Sequence, residues 1–433
     1  MGGSKRELYS PDLTIHGASA HRLPAHLCFL QAHRGSRPHQ ANVSSLGEAI
    51  NHFAVNLFQQ IRQSEEENIF FSPLSIMSAL AMTSLGAREH TASEIQKVLH
   101  SNEIAGNKKG GTTVDPVENT GNVYHQFQTL LTELKKPTDA YELNIANRLY
   151  GEKTFLFLQA YMDNVKKFYL ASVESADFVN AAEESRKMIN SWVEAKLMVE
   201  KIKDLFPKDS LGSVTVLVLV NTVYFKGKWC QKFKKENIGE EKFWLNKGTS
   251  KSVQMMKQTD HFNFTSLEDM QVKILEIPYK GQELSMMVLL PNELDGLQKL
   301  EDQLTAEKLI EWTSPQNMRE RQVDLHLPRF KVEESYDLKA TLGALGMVDA
   351  FSDQDTDFSG MTGRQDVVVS KVLHKSFVEV NEEGTEAAAA TGIEIRTKTR
   401  LIPDSFRCDH PFLFFIKHNK TNNILFYGRV SSP

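Results

Sequence analysis

Between Thr385 and Arg400 the chain sorts its residues by parity. Odd positions Thr385, Ala387, Ala389, Thr391, Ile393, Ile395 and Thr397 are small or apolar. Even positions carry every charge: Glu386, Ala388, Ala390, Gly392, Glu394, Arg396, Lys398 and Arg400. Successive side chains of a strand face opposite ways, so the spacing predicts a strand with one buried and one wet face. The alanine run Ala387-Ala388-Ala389-Ala390 favours helix in isolation, so a short exposed helix or a loop is an equal reading. Gly384, Gly392 and the β-branched Ile393, Ile395, Thr397 and Thr399 count against a long helix. No proline occurs from Gly384 to Ile402, so the backbone is free to pair on both edges. The stretch can be a loop in one state and a strand in another, and its residues do not say which comes when.

The rest of the chain must supply a body for such a segment. Helical spacing starts near Ser44, with Ile50, Phe53, Ala54, Leu57, Phe58 and Ile61 on one face. Ser72 before Pro73 reads as a helix start, a capping hydroxyl followed by proline at the first helical position. Thr91 and Glu94 read as a capping box for the next helix. Helices are also expected over Tyr124–Leu134, Leu158–Tyr169, up to Trp192, and Leu297–Trp312. Val214 to Phe225 is β-rich on both faces, the pattern of a central strand. Leu325–Val332 and Val367–Val380 read as strands. Pro411–Ile416 and Ile424–Val430 read as a hairpin. Helices fall early and strands late without a linker, which predicts one large α+β domain over residues 44–433. Residues 1–43, rich in His, Arg, Ser, Gly and Pro without periodicity, read as a disordered extension.

A net charge of −5 over 433 residues argues against a general nucleic-acid binder. No apolar run is long enough to cross a bilayer, and no signal peptide is recognisable at the N-terminus. A cytoplasmic location is expected, with release by a route that needs no signal peptide as the alternative. The three cysteines, Cys28, Cys230 and Cys408, lack paired spacing, and a reducing compartment is the simpler reading. Catalytic signatures are missing: no GxSxG elbow, no HExxH, no GxGxxG and no paired-cysteine metal signature. Lone histidines such as His90 and His374 are more often hydrogen-bonded structural residues than bases. No cofactor and no metal is expected, and an enzyme is the weakest class.

Five landmarks stand out: Phe70-Phe71-Ser72-Pro73-Leu74-Ser75-Ile76, Leu219 to Trp229, Leu327 to Val332, Glu382 to Thr391, and Phe406 through Asp409-His410-Pro411-Phe412 to Ile416. Together they resemble the serpin family, and its intracellular, ovalbumin-like branch most closely, in particular the squamous cell carcinoma antigen subgroup. The resemblance covers about residues 45–433. It implies a serpin fold: a large central, mostly antiparallel sheet, further sheets, helices in the N-terminal half and an exposed reactive-centre loop over about 382–405.

It also implies a mechanism. A protease attacks the loop, an acyl-enzyme forms, and the cleaved loop inserts as a new strand, dragging the protease along. The hinge maps onto Glu382, Gly384, Thr385, Glu386, Ala387, Ala388, Ala389, Ala390 and Thr391, with Gly384 supplying unusual backbone angles at the pivot. Some 14 residues at roughly 3.3 Å each span about 45 Å. Family spacing puts the reactive bond at Lys398-Thr399, with Arg396 and Arg400 as competing specificity residues. The polar shutter maps onto Ser72, Ser75, Asn221 and His374, and the top of the sheet onto Trp229. The implied partner is a trypsin-like serine protease, held covalently by a monomeric inhibitor. A papain-like cysteine protease (cathepsin) and a non-inhibitory role are the alternatives. Leu197-Met198-Val199 and Cys230 depart from the family pattern, and the N-terminal extension has no counterpart in it.

Overall fold

The computed structural model of the chain describes residues 45–100, 116–197, 205–385 and 402–433. The N-terminal extension expected over 1–43 lies outside the described residues. Helix α1 (Ser45–Ile61) buries the expected face, including Ile50, Phe53, Ala54, Leu57, Phe58 and Ile61. Helix α2 (Pro73–Ser84) begins as its sequence dictates, with the Ser72 hydroxyl accepting the Ser75 N–H at 3.2 Å. It is buried from Pro73 to Thr83, so it forms a central spine.

The capping box is not where its spacing placed it. Helix α3 (Glu89–Val98) starts two residues before Thr91, with Arg88 as N-cap. Thr91 instead accepts the Asp357 N–H at 3.0 Å, and Glu94 accepts the Asp349 N–H at 2.8 Å. A distant loop uses the groups that a local box would have used. Helices α4 (Pro116–Leu134), α5 (Gln159–Tyr169) and α6 (Ala182–Leu197) follow. The helix expected over Leu297–Trp312 is two, α7 (Leu297–Gln303) and α8 (Ala306–Trp312). The Thr305 hydroxyl between them caps α8 by accepting the Lys308 N–H at 3.1 Å.

One sheet has five strands: β2 (Tyr141–Glu152), β3 (Ser172–Ala176), β4 (Leu217–Gly227), β10 (Phe330–Asp337) and β11 (Val369–Val380), in the order β10-β11-β4-β2-β3. Strand β4 is central, as its two apolar faces require. It starts at Leu217 rather than Val214, which is 87% exposed. Pairs β10–β11 and β4–β2 are antiparallel, while β11–β4 and β2–β3 are parallel.

The other sheet has nine strands. Its path runs β1 (Ile69–Phe71), β14 (Asn423–Val430), β13 (Phe412–His418), β8 (Leu284–Pro291), β7 (Val272–Pro278), β6 (Thr249–Leu267), β9 (Arg319–Pro328), β12 (Asp404–Arg407), and β5 (Gly239–Asn246) pairs with β6. The stretch Leu325–Val332, expected as one strand, is divided between the two sheets. Pro328 has no N–H to continue a ladder, and the chain leaves β9 there to enter β10. Cys408 is a buried free thiol. Among the described residues no helix is long and apolar enough to cross a membrane.

Candidate functional site

The parallel seam between β4 and β11 carries a row of polar side chains. Tyr336 of β10 sits opposite His374 of β11, His374 opposite Asn221 of β4, and Asn221 opposite Asn147 of β2. Four neighbouring strands thus present four polar residues at one level of the sheet. His374 and Asn221 are 0% and 2% exposed, so every polar atom needs a protein partner.

Those partners are at the start of α2. The Ser72 N–H donates to His374 Nε2 at 3.1 Å. An amide can only donate, so Nε2 is the acceptor and the ring proton resides on Nδ1, which meets Asn221 Oδ1. The Asn221 amide reaches the Ser75 carbonyl at 3.2 Å, the Ser75 hydroxyl and Asn147 Oδ1. Asn147 in turn donates to the Ser78 hydroxyl at 2.9 Å, and Ser72 Oγ donates to the Leu425 carbonyl at 2.7 Å. Burial pushes the His374 imidazole down to about 3, so it is neutral at physiological pH. The expected quartet Ser72, Ser75, Asn221 and His374 is therefore one network.

Asn147 and Ser78 belong to the same network, Tyr336 stacks on the His374 ring with centroids 6.4 Å apart, and all three escaped the sequence reading. Asn147 did leave a signal. It falls on the face of β2 shared by Leu143, Ile145 and Leu149, where an amide interrupts an apolar series.

At the top of the seam, Trp229 is 1% exposed and stacks on Tyr279 with ring centroids 4.5 Å apart. Its indole N–H donates to the Asn381 carbonyl at 2.7 Å. Its backbone N–H donates to the Glu383 carbonyl at 2.9 Å, and its carbonyl accepts the Thr385 N–H at 3.0 Å. Lys232 and Phe233 donate to the carbonyls of Thr385 and Glu382, each at 3.0 Å. The bridge between Trp229 and Gly384 is parallel, so residues 382–385 extend the β4–β11 pairing past the ends of both strands. Arg329 pairs with Glu382 at 2.7 Å. Burial alone would raise that carboxyl, but a backbone hydrogen bond and Arg329 hold it below its ordinary value.

Gly384 has a different role from the one expected. Its φ is not in the left-handed region, unlike Gly281, Gly346 and Gly363. What it supplies is room: a Cβ there would sit 2.7 Å from the Trp229 carbonyl oxygen and 2.8 Å from Lys232 N and Cα. The hinge residues Glu386, Ala387, Ala388, Ala389, Ala390 and Thr391, and the basic residues Arg396, Lys398, Thr399 and Arg400, lie outside the described residues.

The geometry allows one particular rearrangement. A segment tethered to the top of β11 and folded back into the seam would run antiparallel to both β11 and β4. One parallel pairing, slightly the weaker kind, would be exchanged for two antiparallel ones. Of the isolated histidines, His374 is sealed inside the network, and the exposed His90 pairs through Nδ1 with Asp349.

Comparisons with known proteins agree with this architecture. The family model described as Serpin (serine protease inhibitor) matches residues 48–433. The chain is 63% identical over 392 residues to human Serpin B3, covering 90% of this chain and all of that one. It is 47% identical over 396 residues to horse leukocyte elastase inhibitor, again 90% of this chain and all of the relative. Uncleaved ovalbumin superposes with a TM-score of 0.80 at 37% identity, over 90% of this chain and 100% of that one. A loop-inserted structure of a cleaved ovalbumin mutant superposes with a TM-score of 0.78 at the same identity and coverage.

Proposed function

The chain belongs to the serpin family, and from that premise we propose that it inhibits trypsin-like serine proteases as a suicide substrate. Serpins act on target proteases through covalent complexes, and some relatives are protease inhibitors by name. The domain runs over residues 44–433, with a reactive-centre loop over about 382–405. Lys398 enters the specificity pocket and the Lys398-Thr399 bond is attacked. The lysine suits a pocket with an acid at its base, and Arg396 and Arg400 offer neighbouring bonds.

The observation that carries the reading is the hinge. Residues 382–385 are already hydrogen-bonded to Trp229, Lys232 and Phe233 at the open end of a parallel seam. The residues that follow are small on one face. Once cleaved, the strand folds back between β4 and β11 with Thr385, Ala387, Ala389 and Thr391 inward, and adds a sixth strand. The gain is two antiparallel ladders in exchange for one parallel ladder, plus buried Ile393 and Ile395, offset by the entropy of ordering the loop. Glu382, Gly384, Glu386, Ala388 and Ala390 complete the hinge, Ser72, Ser75, Asn221 and His374 form the shutter, and Trp229 marks the point where insertion starts. The inhibitor acts as a monomer in the cytoplasm, without nucleic acid, membrane or cofactor.

The test is incubation with trypsin and, separately, with a papain-like cathepsin, read by denaturing gel and mass spectrometry. A covalent trypsin complex with a released peptide starting at Thr399 is expected, and Lys398→Ala should abolish it. A complex with the cathepsin alone would move the target to cysteine proteases. Clean cleavage without a complex would leave a non-inhibitory serpin.

A further inference from the structure

Away from the seam, three side chains from distant parts of the chain converge. Glu133 lies in the last turn of α4, Glu283 directly precedes β8, and His418 ends β13. Their ligand atoms all lie within 4.8 Å of one another. His418 is fully buried. Its Nδ1 is engaged by the Thr421 hydroxyl at 2.8 Å, which turns Nε2 toward the two acids. Nε2 lies 3.8 Å from Glu133 Oε1 and 3.6 Å from Glu283 Oε1. Both distances are too long for a hydrogen bond, and Nε2 has no hydrogen-bond partner. A buried nitrogen without a partner, aimed at two carboxylates, is costly as it stands.

A proton on Nε2 would still face both carboxylates at distances beyond hydrogen-bond reach. A divalent cation would satisfy all three groups at once. Two carboxylates and a neutral imidazole make an uncharged set with a dication. Around a tetrahedral ion with bonds of about 2.0–2.1 Å, neighbouring ligand atoms stand roughly 3.3 Å apart, so the two imidazole contacts, at 3.8 and 3.6 Å, must shorten by a few tenths of an ångström and the two carboxylates, within 4.8 Å of each other, must close to the same separation. The glutamates, 27% and 35% exposed, are free to move that far and leave a route for the ion and a water ligand. The outer shell suits the task as well. The Thr421 hydroxyl fixes the ring, the kind of support that orients metal ligands. The negative end of the α4 dipole also favours a cation beside Glu133.

The geometry points to a binding site for a divalent transition cation of the zinc class at Glu133, Glu283 and His418. One imidazole with two carboxylates favours zinc or cobalt over magnesium or calcium. The site joins α4 to the nine-stranded sheet, and it does not rest on the inhibitory reading. Sequence spacing could not reveal it, because its ligands are about 140 residues apart.

The test uses the full chain, stripped with chelator, then titrated with cobalt and zinc. The readouts are the visible absorption of bound cobalt and the thermal midpoint with zinc. Wild type should bind one ion with a cobalt band that zinc displaces, and zinc should raise the midpoint. Glu133→Gln and Glu283→Gln should each weaken binding by at least about tenfold while the metal-free protein stays folded. His90→Ala, which alters the exposed trio His90, Glu94 and Asp349, should change nothing. Equal affinity in wild type and both glutamine variants would mean binding only at other histidines, and would overturn the assignment. So would the absence of any zinc-dependent shift in wild type.

Discussion

Two seams of this molecule are equally buried and differ in kind. Between β13 and β14, opposed pairs include Phe414 with Gly428, Phe415 with Tyr427, and Ile416 with Phe426. Phe70 stacks on both Phe414 and Phe426, at 5.9 and 5.5 Å, and Phe426 packs on Phe225 at 5.1 Å. Gly428 leaves space for a ring: a Cβ there would lie 2.4 Å from Phe414. Between β4 and β11 the central pair is Asn221 with His374, flanked by Asn147 and Tyr336. The aromatic seam gains from area removed from water, which no invading strand could replace. The polar seam gains from directional bonds, each worth only about 1 kcal/mol net but costly if a partner is stranded. The first is a permanent wall. The second is a closure that another strand can substitute, if it brings its own hydrogen bonds.

The contrast can be broken by substitution. Phe426→Ala should cost about 3–5 kcal/mol of unfolding free energy, the range for deleting a buried phenyl group, measured by urea denaturation. Asn221→Ala should cost less, about 1–3 kcal/mol, because it strands the His374 and Ser75 groups rather than opening a large cavity. In addition, it should speed conversion to a loop-inserted form of higher thermal midpoint, followed by native gel during mild heating. Phe426→Ala should not. If both variants convert equally fast, the seams are not different in the sense argued.

A smaller effect sharpens the comparison through pH. His374 titrates near its ordinary value when unfolded and near 3 when folded. Between those values the unfolded chain binds the extra proton, so stability is complete above about pH 6.5 and falls as pH drops below it. One such histidine contributes a slope of up to about 1.4 kcal/mol per pH unit in that window. His418 is also depressed and adds in the same direction. Denaturation at several pH values should give a shallower slope for His374→Gln than for wild type. An unchanged slope would show that the network does not hold the ring neutral.

Local signals were legible where the structure obeys local rules. The Ser72-Pro73 start, the buried stripe of α1, the two-faced β4 and the β13–β14 hairpin all follow from spacing and capping. The shutter quartet came through resemblance, since nothing near Ser72 in sequence announces a bond to His374, 302 residues away. Thr305 is an instructive miss. Its hydroxyl caps α8 by a local rule, but the apolar spacing on both sides of it outweighed that signal. Thr91 is the converse, a local rule overridden when Asp357 took its hydroxyl.

By itself, the sequence determined which segments alternate, which are amphipathic and where the chain cannot pair, because these depend on neighbours within a few residues. It also determined that residues 385–400 can belong to a sheet, since parity and the lack of proline are properties of that segment alone. Tertiary structure decided that Tyr336, His374, Asn221 and Asn147 share one level of a sheet. It decided too that Gly384 is needed for space against Trp229 rather than for its backbone angles. Registers and close approaches are set by strands brought together from across the chain, and no window of local sequence contains both sides of such a contact.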